Sequence, residues 1–292
     1  MAYSSRKRKL FLFINTTLCV LIALTCLAPM LHILALSFSK KEAIISGMVG
    51  FLPIGFTWDN YNYVSKDSAF YTSFFISIIR TIIALVVQLT MTVLAAYPIS
   101  HLRSRFHARI FYTWFFLIAV LFNGGLIPTY LIVAKTGLIN SIWSLILPGA
   151  VPLFYVILMQ NFMKTLPEEI KESAAMDGAG QWRTLLQIVL PLCQVSIATV
   201  SLFIAVDNWN AWYDGMLYIN DNNLFPLQTY LRTVVVQIDL TQMSDMNSIA
   251  KLVASTGADT AKIFLAMLPI ILVYPFAQKY FVKGIVLGSV KG

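Results

Sequence analysis

Charged and amide side chains are scarce in this chain, so the places where they interrupt apolar sequence mark the positions able to do chemistry. Arg80 stands well inside an apolar run at 71–99, where a charge is costly enough to require a reason. A guanidinium is a planar fork matched to carboxylates, which makes Arg80 a candidate contact for an anionic or polyhydroxylated solute. The competing reading is a buried ion pair with Asp207, the acidic residue that lies well inside another apolar run. That run carries Asp207-Asn208-Trp209-Asn210-Ala211-Trp212-Tyr213-Asp214. Flat rings stack on the C–H faces of a sugar and amides meet its hydroxyls, so Asp207, Asn208, Trp209, Asn210 and Trp212 are candidates for a solute path. An aromatic belt at a membrane interface is the plainer alternative. Trp212 and Tyr213 fit a belt well, whereas Asp207, Asn208 and Asn210 fit it poorly. Continued at helical angles, Asp207, Asn210 and Asp214 share one face and Asn208 and Trp212 an adjoining one, so a single cavity would take several of them.

Nothing in the sequence offers catalysis. There is no GxxxxGK[ST] for a nucleotide, and HExxH and GxSxG are absent. His32, His101 and His107 are scattered without ligand spacing, so no metal site, no bound cofactor and no enzyme activity are expected of this chain.

The longest polar interruption is residues 165–192, TLPEEIKESAAMDGAGQWRTLLQIVLPL. Thr165 and Glu168 have capping-box spacing and Pro167 falls where a missing N–H does no harm, so a helix is predicted to begin here. Asp177-Gly178-Ala179-Gly180 is predicted to end it, glycine supplying the left-handed conformation. Trp182, Leu185, Leu186 and Val189 then start a second amphipathic stripe, and Pro191 marks a return to apolar sequence. Helix, tight turn, interfacial helix and span together make a rigid knob able to pass motion to a soluble partner. Ser173, Ala174 and Ala175 would allow close approach, and Glu172 and Asp177 would fix the orientation of docking. A merely solvated, well-capped loop is the alternative.

The elements that must hold these residues are membrane spans. The 292 residues are 58% hydrophobic and 12% charged, with a mean hydropathy of +0.75, which excludes an ordinary soluble domain. The net charge of +8 gathers beside apolar runs, so orientation in a membrane explains it better than nucleic acid does. Cys19, Cys26 and Cys193 lie in or at apolar runs and read as free thiols. Runs of spanning length, about 20 residues or more, cover 10–38, 71–99, 108–134, 141–163, 192–219 and 261–281. An all-α membrane protein of six transmembrane helices follows. Lys and Arg cluster at Arg6-Lys7-Arg8-Lys9, around Arg103, Arg105 and Arg109, in the 165–191 loop and near the C-terminus, which predicts both termini and that loop to be cytoplasmic. Two outer segments, 39–70 and 220–260, are long enough to have structure and to bind something; a short helix is predicted at 246–254 in the second. Asn123-Gly124-Gly125 with Pro128 either breaks the third run at a cavity or serves close helix packing, and packing is the favoured reading. One membrane domain, 1–292, is the natural division.

Within the polar loop, Glu172-Ser173-Ala174, Gly178 and Ile188-Val189-Leu190-Pro191 keep the spacing of the EAA loop of the membrane subunits of ATP-binding-cassette (ABC) importers, departing only at Ser173, where that pattern has alanine. The layout of the whole chain resembles the MalG-type permease subunit of carbohydrate ABC importers. Phe56-Thr57-Trp58-Asp59-Asn60-Tyr61, Gly137-Leu138-Ile139-Asn140 and Pro226-Leu227-Gln228-Thr229-Tyr230-Leu231-Arg232 resemble the branch that serves complex-polysaccharide oligomers. The resemblance implies a type I ABC importer permease fold in a bacterial cytoplasmic (inner) membrane. It implies a heterodimer with a second permease subunit and two nucleotide-binding subunits that hold ATP and Mg and grip Glu172, Ser173, Ala174, Ala175, Asp177 and Gly178. An external solute-binding protein would deliver the oligosaccharide. Arg80 tilts that expectation towards an acidic oligomer, from alginate or pectin. The rival is a self-sufficient secondary transporter or channel, which requires coupling-ion carboxylates at mid-membrane; only Asp207 qualifies.

Overall fold

In hydrocarbon every backbone N–H and C=O must be satisfied within the protein, which leaves helices as the means by which an apolar chain without strand alternation crosses a bilayer. The computed structural model describes residues 6–101, 106–122, 124–236, 256–275 and 278, and contains helices and turns but no strand among them. Three helices are long and apolar enough to cross a membrane: α1 (Arg6–Ser37), α4 (Ser68–Ser100) and α14 (Thr256–Pro275). Three further pairs pass the same test together, each bent by more than 40°, so by length and composition the described residues hold three to six candidate spans. The predicted helix at 246–254 lies outside the described residues.

The chain divides into two compact units. One comprises residues 1–70 and 231–268, the other 71–230 and 269–292. In the first, α1 has no charged residue after Lys9 and its apolar side chains stay exposed around its circumference, including Leu10, Phe13, Leu21 and Leu24, the surface a lipid-facing helix presents. Short helices α2 (Lys41–Ile45) and α3 (Asp59–Val64) follow it. Phe38, Phe56, Trp58 and Tyr61 form one aromatic cluster, with Phe38 stacked on Phe56 at 5.2 Å and edge-on to Trp58 at 5.1 Å. Asn60 donates to the carbonyls of Ser37 and Ser39, and Lys262 pairs with Asp67 at 2.8 Å.

The second unit is organised by α4, whose pattern is the reverse of a soluble helix. Ser73, Ser77, Arg80, Ala84, Gln88, Thr92 and Ala96 recur every three or four residues and are buried, while Phe75, Ile79, Ile82 and Val86 are exposed. Small side chains let neighbouring helices approach, and the polar ones find partners inside the protein. α5 (Arg109–Leu121) and α6 (Leu126–Lys135) are separate helices. Gly125 has φ +91°, open to glycine and strained for other residues, so the packing reading of this stretch gives way to a break; Asn123 itself lies outside the described residues. Two short 3₁₀ turns, Ile142–Leu145 and Leu147–Gly149, lead at a 48° bend into α7 (Leu153–Lys164).

The polar loop forms α8 (Glu168–Met176), α9 (Gln181–Thr184), a π-helical turn Leu185–Val189 and α10 (Leu190–Leu192). An 83° bend at Cys193 leads into α11 (Gln194–Asn210). The predicted capping box does not form. Pro167 is the N-cap with ψ 131°, and the Thr165 hydroxyl donates back to the Phe162 carbonyl at 2.7 Å, leaving Glu168 to accept from Lys171. The core of this unit joins Val93, Ala96 and Tyr97 of α4, Val156, Met159 and Met163 of α7, Leu185 and Val189 of the π turn, and Val200 and Ile204 of α11. α12 (Tyr213–Tyr218) and α13 (Leu227–Val236) follow.

Candidate functional site

α11 stops at Asn210 because Ala211 is extended, with ψ 124°. Continuous helical angles therefore do not apply to the aromatic stretch, and the break decides which of its side chains meet. Gly215 sits so close to the Thr229 side chain that no Cβ would fit. Thr229 donates to the Trp212 carbonyl at 2.9 Å, and the Leu227 N–H donates to the Ser77 hydroxyl at 2.7 Å. These contacts clamp α12 and the start of α13 against α4.

The clamp delivers Asp214 to Arg80. Both terminal guanidinium nitrogens of Arg80 donate to the two Asp214 oxygens, one at 3.2 Å, and the same nitrogen reaches the Ala211 carbonyl at 3.4 Å. Arg80 is 2% exposed, and its Nε has no partner among the described residues. The ionic partner expected from the sequence, Asp207, is therefore replaced by Asp214. Asp207 instead accepts from the Tyr155 hydroxyl, which α7 supplies. Asn208 donates to Gln88 of α4 at 3.0 Å and to the Ile204 carbonyl at 2.8 Å.

These groups line one cavity of about 360 Å³, whose wall includes Arg80, Gln88, Tyr155, Asp207, Asn208 and Asp214. It holds two carboxylates against one cation whose terminal nitrogens are both paired, so the groups left to meet a solute are chiefly the Asp207 carboxylate, the Tyr155 phenol and the Gln88 and Asn208 amides. That set suits hydroxyl groups. The other sequence candidates stand apart from it. Trp209 packs edge-on against Phe74 at 5.7 Å and lines a separate apolar cavity of about 580 Å³ with Thr81, Phe203 and Val206. Asn210 is exposed at the end of α11, and Trp212 is half-exposed beside Tyr213; neither lines the polar cavity. Gln88 and Tyr155 escaped the sequence reading. The signal for Gln88 was its place on the small and polar stripe of α4.

At the other end of α11, the polar loop forms an exposed tip on a fixed base. Gly178 has φ +75°, and its N–H and that of Ala179 donate to the Ala175 and Ala174 carbonyls at 3.1 and 2.9 Å, closing α8 as the sequence predicts. Glu172, Ser173, Ala175, Asp177 and Gly178 are exposed, and Met176 between them is 89% exposed. Ala174, expected at the docking surface, is buried against the protein instead. Lys171 is buried and bonds Glu168 at 3.1 Å. Tyr97 donates to Gln181 at 3.0 Å, tying the loop to α4. The second stripe divides: Leu185 and Val189 are buried in the core, while Trp182 and Leu186 are exposed. Among the described residues no cluster of His, Cys, Asp or Glu is placed to hold a metal ion.

No protein-family model matches the chain. It is 38% identical over 288 residues, 98% of its length and 100% of the relative's, to the polygalacturonan/rhamnogalacturonan transport system permease protein YtcP of Bacillus subtilis (strain 168). It is 39% identical to the protein LplC of the same organism, covering 90% of this chain and 89% of that one. Among solved structures, it superposes with TM-score 0.85 and 28% identity, over 96% of its own length and 100% of the other's, on a chain of a bacterial ABC transporter involved in the import of the acidic polysaccharide alginate. Full-length similarity of this degree, on an apolar helical architecture, settles the family: the chain is a multi-pass membrane protein that belongs to the permease subunits of sugar ABC transporters.

Proposed function

We propose that this chain is the pore-forming half of an ATP-driven importer that carries oligosaccharides cut from an acidic polysaccharide across a bacterial cytoplasmic membrane by alternating access. Residues 1–292 act as one membrane domain with six spans and both termini in the cytoplasm, paired with a second permease subunit. Two nucleotide-binding subunits hold ATP and Mg and dock on the loop at 165–191 through Glu172, Ser173, Ala175, Asp177 and Gly178. A solute-binding protein delivers cargo to the outer segments 39–70 and 220–260.

The observation that carries this reading is the continuity of loop and cavity. The exposed tip at Met176 and Asp177 leads through α9, the π turn and α10 into α11, whose far end bears Asp207 and Asn208. α11 is 17 residues long, about 25 Å at 1.5 Å per residue. A displacement of the loop by an ATPase subunit thereby reaches the polar cavity through the bend at Cys193 and along α11. The cavity's free groups meet sugar hydroxyls, with Asp207, Tyr155, Asn208 and Gln88 in contact and Arg80 held by Asp214. Acidic cargo is supported by the substrates named for the relatives, polygalacturonan/rhamnogalacturonan and alginate.

Purification of a tagged chain from its native membrane in mild detergent tests the proposal. A second permease and an ATPase are expected in the same complex, with uptake of galacturonate or alginate oligomers dependent on ATP. Recovery of the chain alone, active on an ion gradient, would establish a self-sufficient transporter.

A further inference from the structure

The segment between α1 and α3 exposes its apolar side chains at a depth fixed by the backbone. From Ala43 to Trp58 it carries no charged residue, whereas Lys40, Lys41 and Glu42 precede that stretch and Asp59 follows it. Met48 is 70% exposed, Phe51 64% and Leu52 77%, and Ile45 and Ile54 are exposed beside them. Such a contiguous apolar patch on a loop marks an interaction surface.

Its position relative to α1 identifies the partner. His32 Nδ1 donates to the Gly50 carbonyl at 2.8 Å, which places the tip of the turn alongside α1 about 7.5 Å back from its end at Ser37, at 1.5 Å rise per residue. The neighbouring α1 side chains Leu27 and Leu31 are themselves exposed and belong to the apolar stretch that a bilayer covers. The turn is also held in this pose from its base. The Lys40 N–H donates to the Ile54 carbonyl at 3.1 Å and the Thr57 N–H to the Phe38 carbonyl at 2.9 Å, while the Ile54 N–H donates to the Ser39 hydroxyl at 3.0 Å. Gly47 and Gly55, with φ +66° and +64°, supply the left-handed conformations at its two ends.

We propose that residues 45–54 form a wedge seated in the lipid of one bilayer leaflet, with Met48, Phe51 and Leu52 among the acyl chains and Lys40 and Lys41 at the level of the phosphates. Apolar side chains below and basic ones at the headgroups are the arrangement by which an interfacial element holds a membrane. The wedge fixes the first extramembrane segment to the bilayer surface and leaves its remaining part, 55–70, to face the solute-binding protein. It requires that α1 spans a bilayer and is independent of the solute carried.

The test uses the chain with its copurifying subunits in phospholipid nanodiscs. Cys19, Cys26 and Cys193, free thiols in the protein, are replaced by alanine, and a bimane label is attached at Leu52→Cys, with Phe51→Cys as a second site and Asp59→Cys as the control at the base. Phosphatidylcholine bearing a nitroxide high on its acyl chain is expected to quench the label at Leu52 or Phe51 several-fold more than at Asp59, and aqueous iodide several-fold less. Iodide quenching at Leu52 equal to that at Asp59 would place the turn in water and overturn the proposal. Protection from both quenchers would overturn it as well, since the turn would then be covered by protein.

Discussion

Removing Asp214 leaves the Arg80 charge buried alone, which costs on the order of 3–5 kcal/mol; removing Arg80 strands a carboxylate that is only part-buried, at a smaller cost, and removing both leaves no orphan. Arg80→Ala and Asp214→Asn are each expected to lower the thermal midpoint and the yield of assembled complex, and the double variant to recover most of both. If Arg80→Ala assembles normally and loses only uptake of acidic oligomers, the guanidinium reads the solute rather than clamping α12. Asp207→Asn tests the cavity separately. The Tyr155 hydroxyl keeps an oxygen acceptor, so assembly is expected to be unchanged while the rate or selectivity of oligosaccharide uptake changes several-fold; uptake unchanged across neutral and acidic oligomers would take Asp207 out of the path. Arg80 was legible because a charge in an apolar run is conspicuous. Its partner was not, because helical periodicity was carried through Ala211, where the backbone turns extended with neither Gly nor Pro to announce it. Asp207 was then the nearest carboxylate inside a run, and Asp214 the one that the break and the close contact of Gly215 with Thr229 brought into reach.

At the scale of the element, α8 and its Gly178 turn combine a fixed base with an open tip. Proline at Gly178 cannot reach φ +75° and removes the N–H bonded to the Ala175 carbonyl. Glu172→Lys reverses a charge on the exposed side of α8. Both variants are expected to lose the ATPase subunit from the purified complex, or ATP-dependent uptake, while far-UV circular dichroism and membrane insertion stay unchanged. Full recovery of ATPase with normal uptake in both would remove the docking role. The turn was readable from sequence because a left-handed glycine closing a helix is a local matter. The helix start was not, because Thr165 has a nearer acceptor in the Phe162 carbonyl. The stripe from Trp182 to Val189 misled in a different way. Trp182 and Leu186, four apart, lie on one line of the helix and face outward, while Leu185 and Val189, also four apart, lie on the next line and enter the core.

For the whole molecule, the apolar runs were legible as runs, but their continuity was not. Composition reports that a segment is apolar and says nothing of the separation of α5 from α6 or of the bends before α7 and at Cys193. The bend at Cys193 and the extended Ala211 leave the stretch 192–219 open to a re-entrant path, dipping into the bilayer and returning to the side it left. The reading as an importer forbids that path, because the loop at 165–191 must face the ATPase and the segment from Asn220 must face the solute-binding protein. The two sides are separable by labelling. With Cys19, Cys26 and Cys193 replaced by alanine, Met176→Cys and Asn222→Cys each present one exposed thiol. In right-side-out vesicles an impermeant maleimide is expected to modify Asn222→Cys at once and Met176→Cys only after permeabilisation, in keeping with the Lys and Arg on the loop side. Reaction of both from the same side would make 192–219 a re-entrant hairpin and reduce the spans by one. α11 would then no longer join a cytoplasmic loop to a cavity open to the other side, and the coupling proposed for it would fail with the topology.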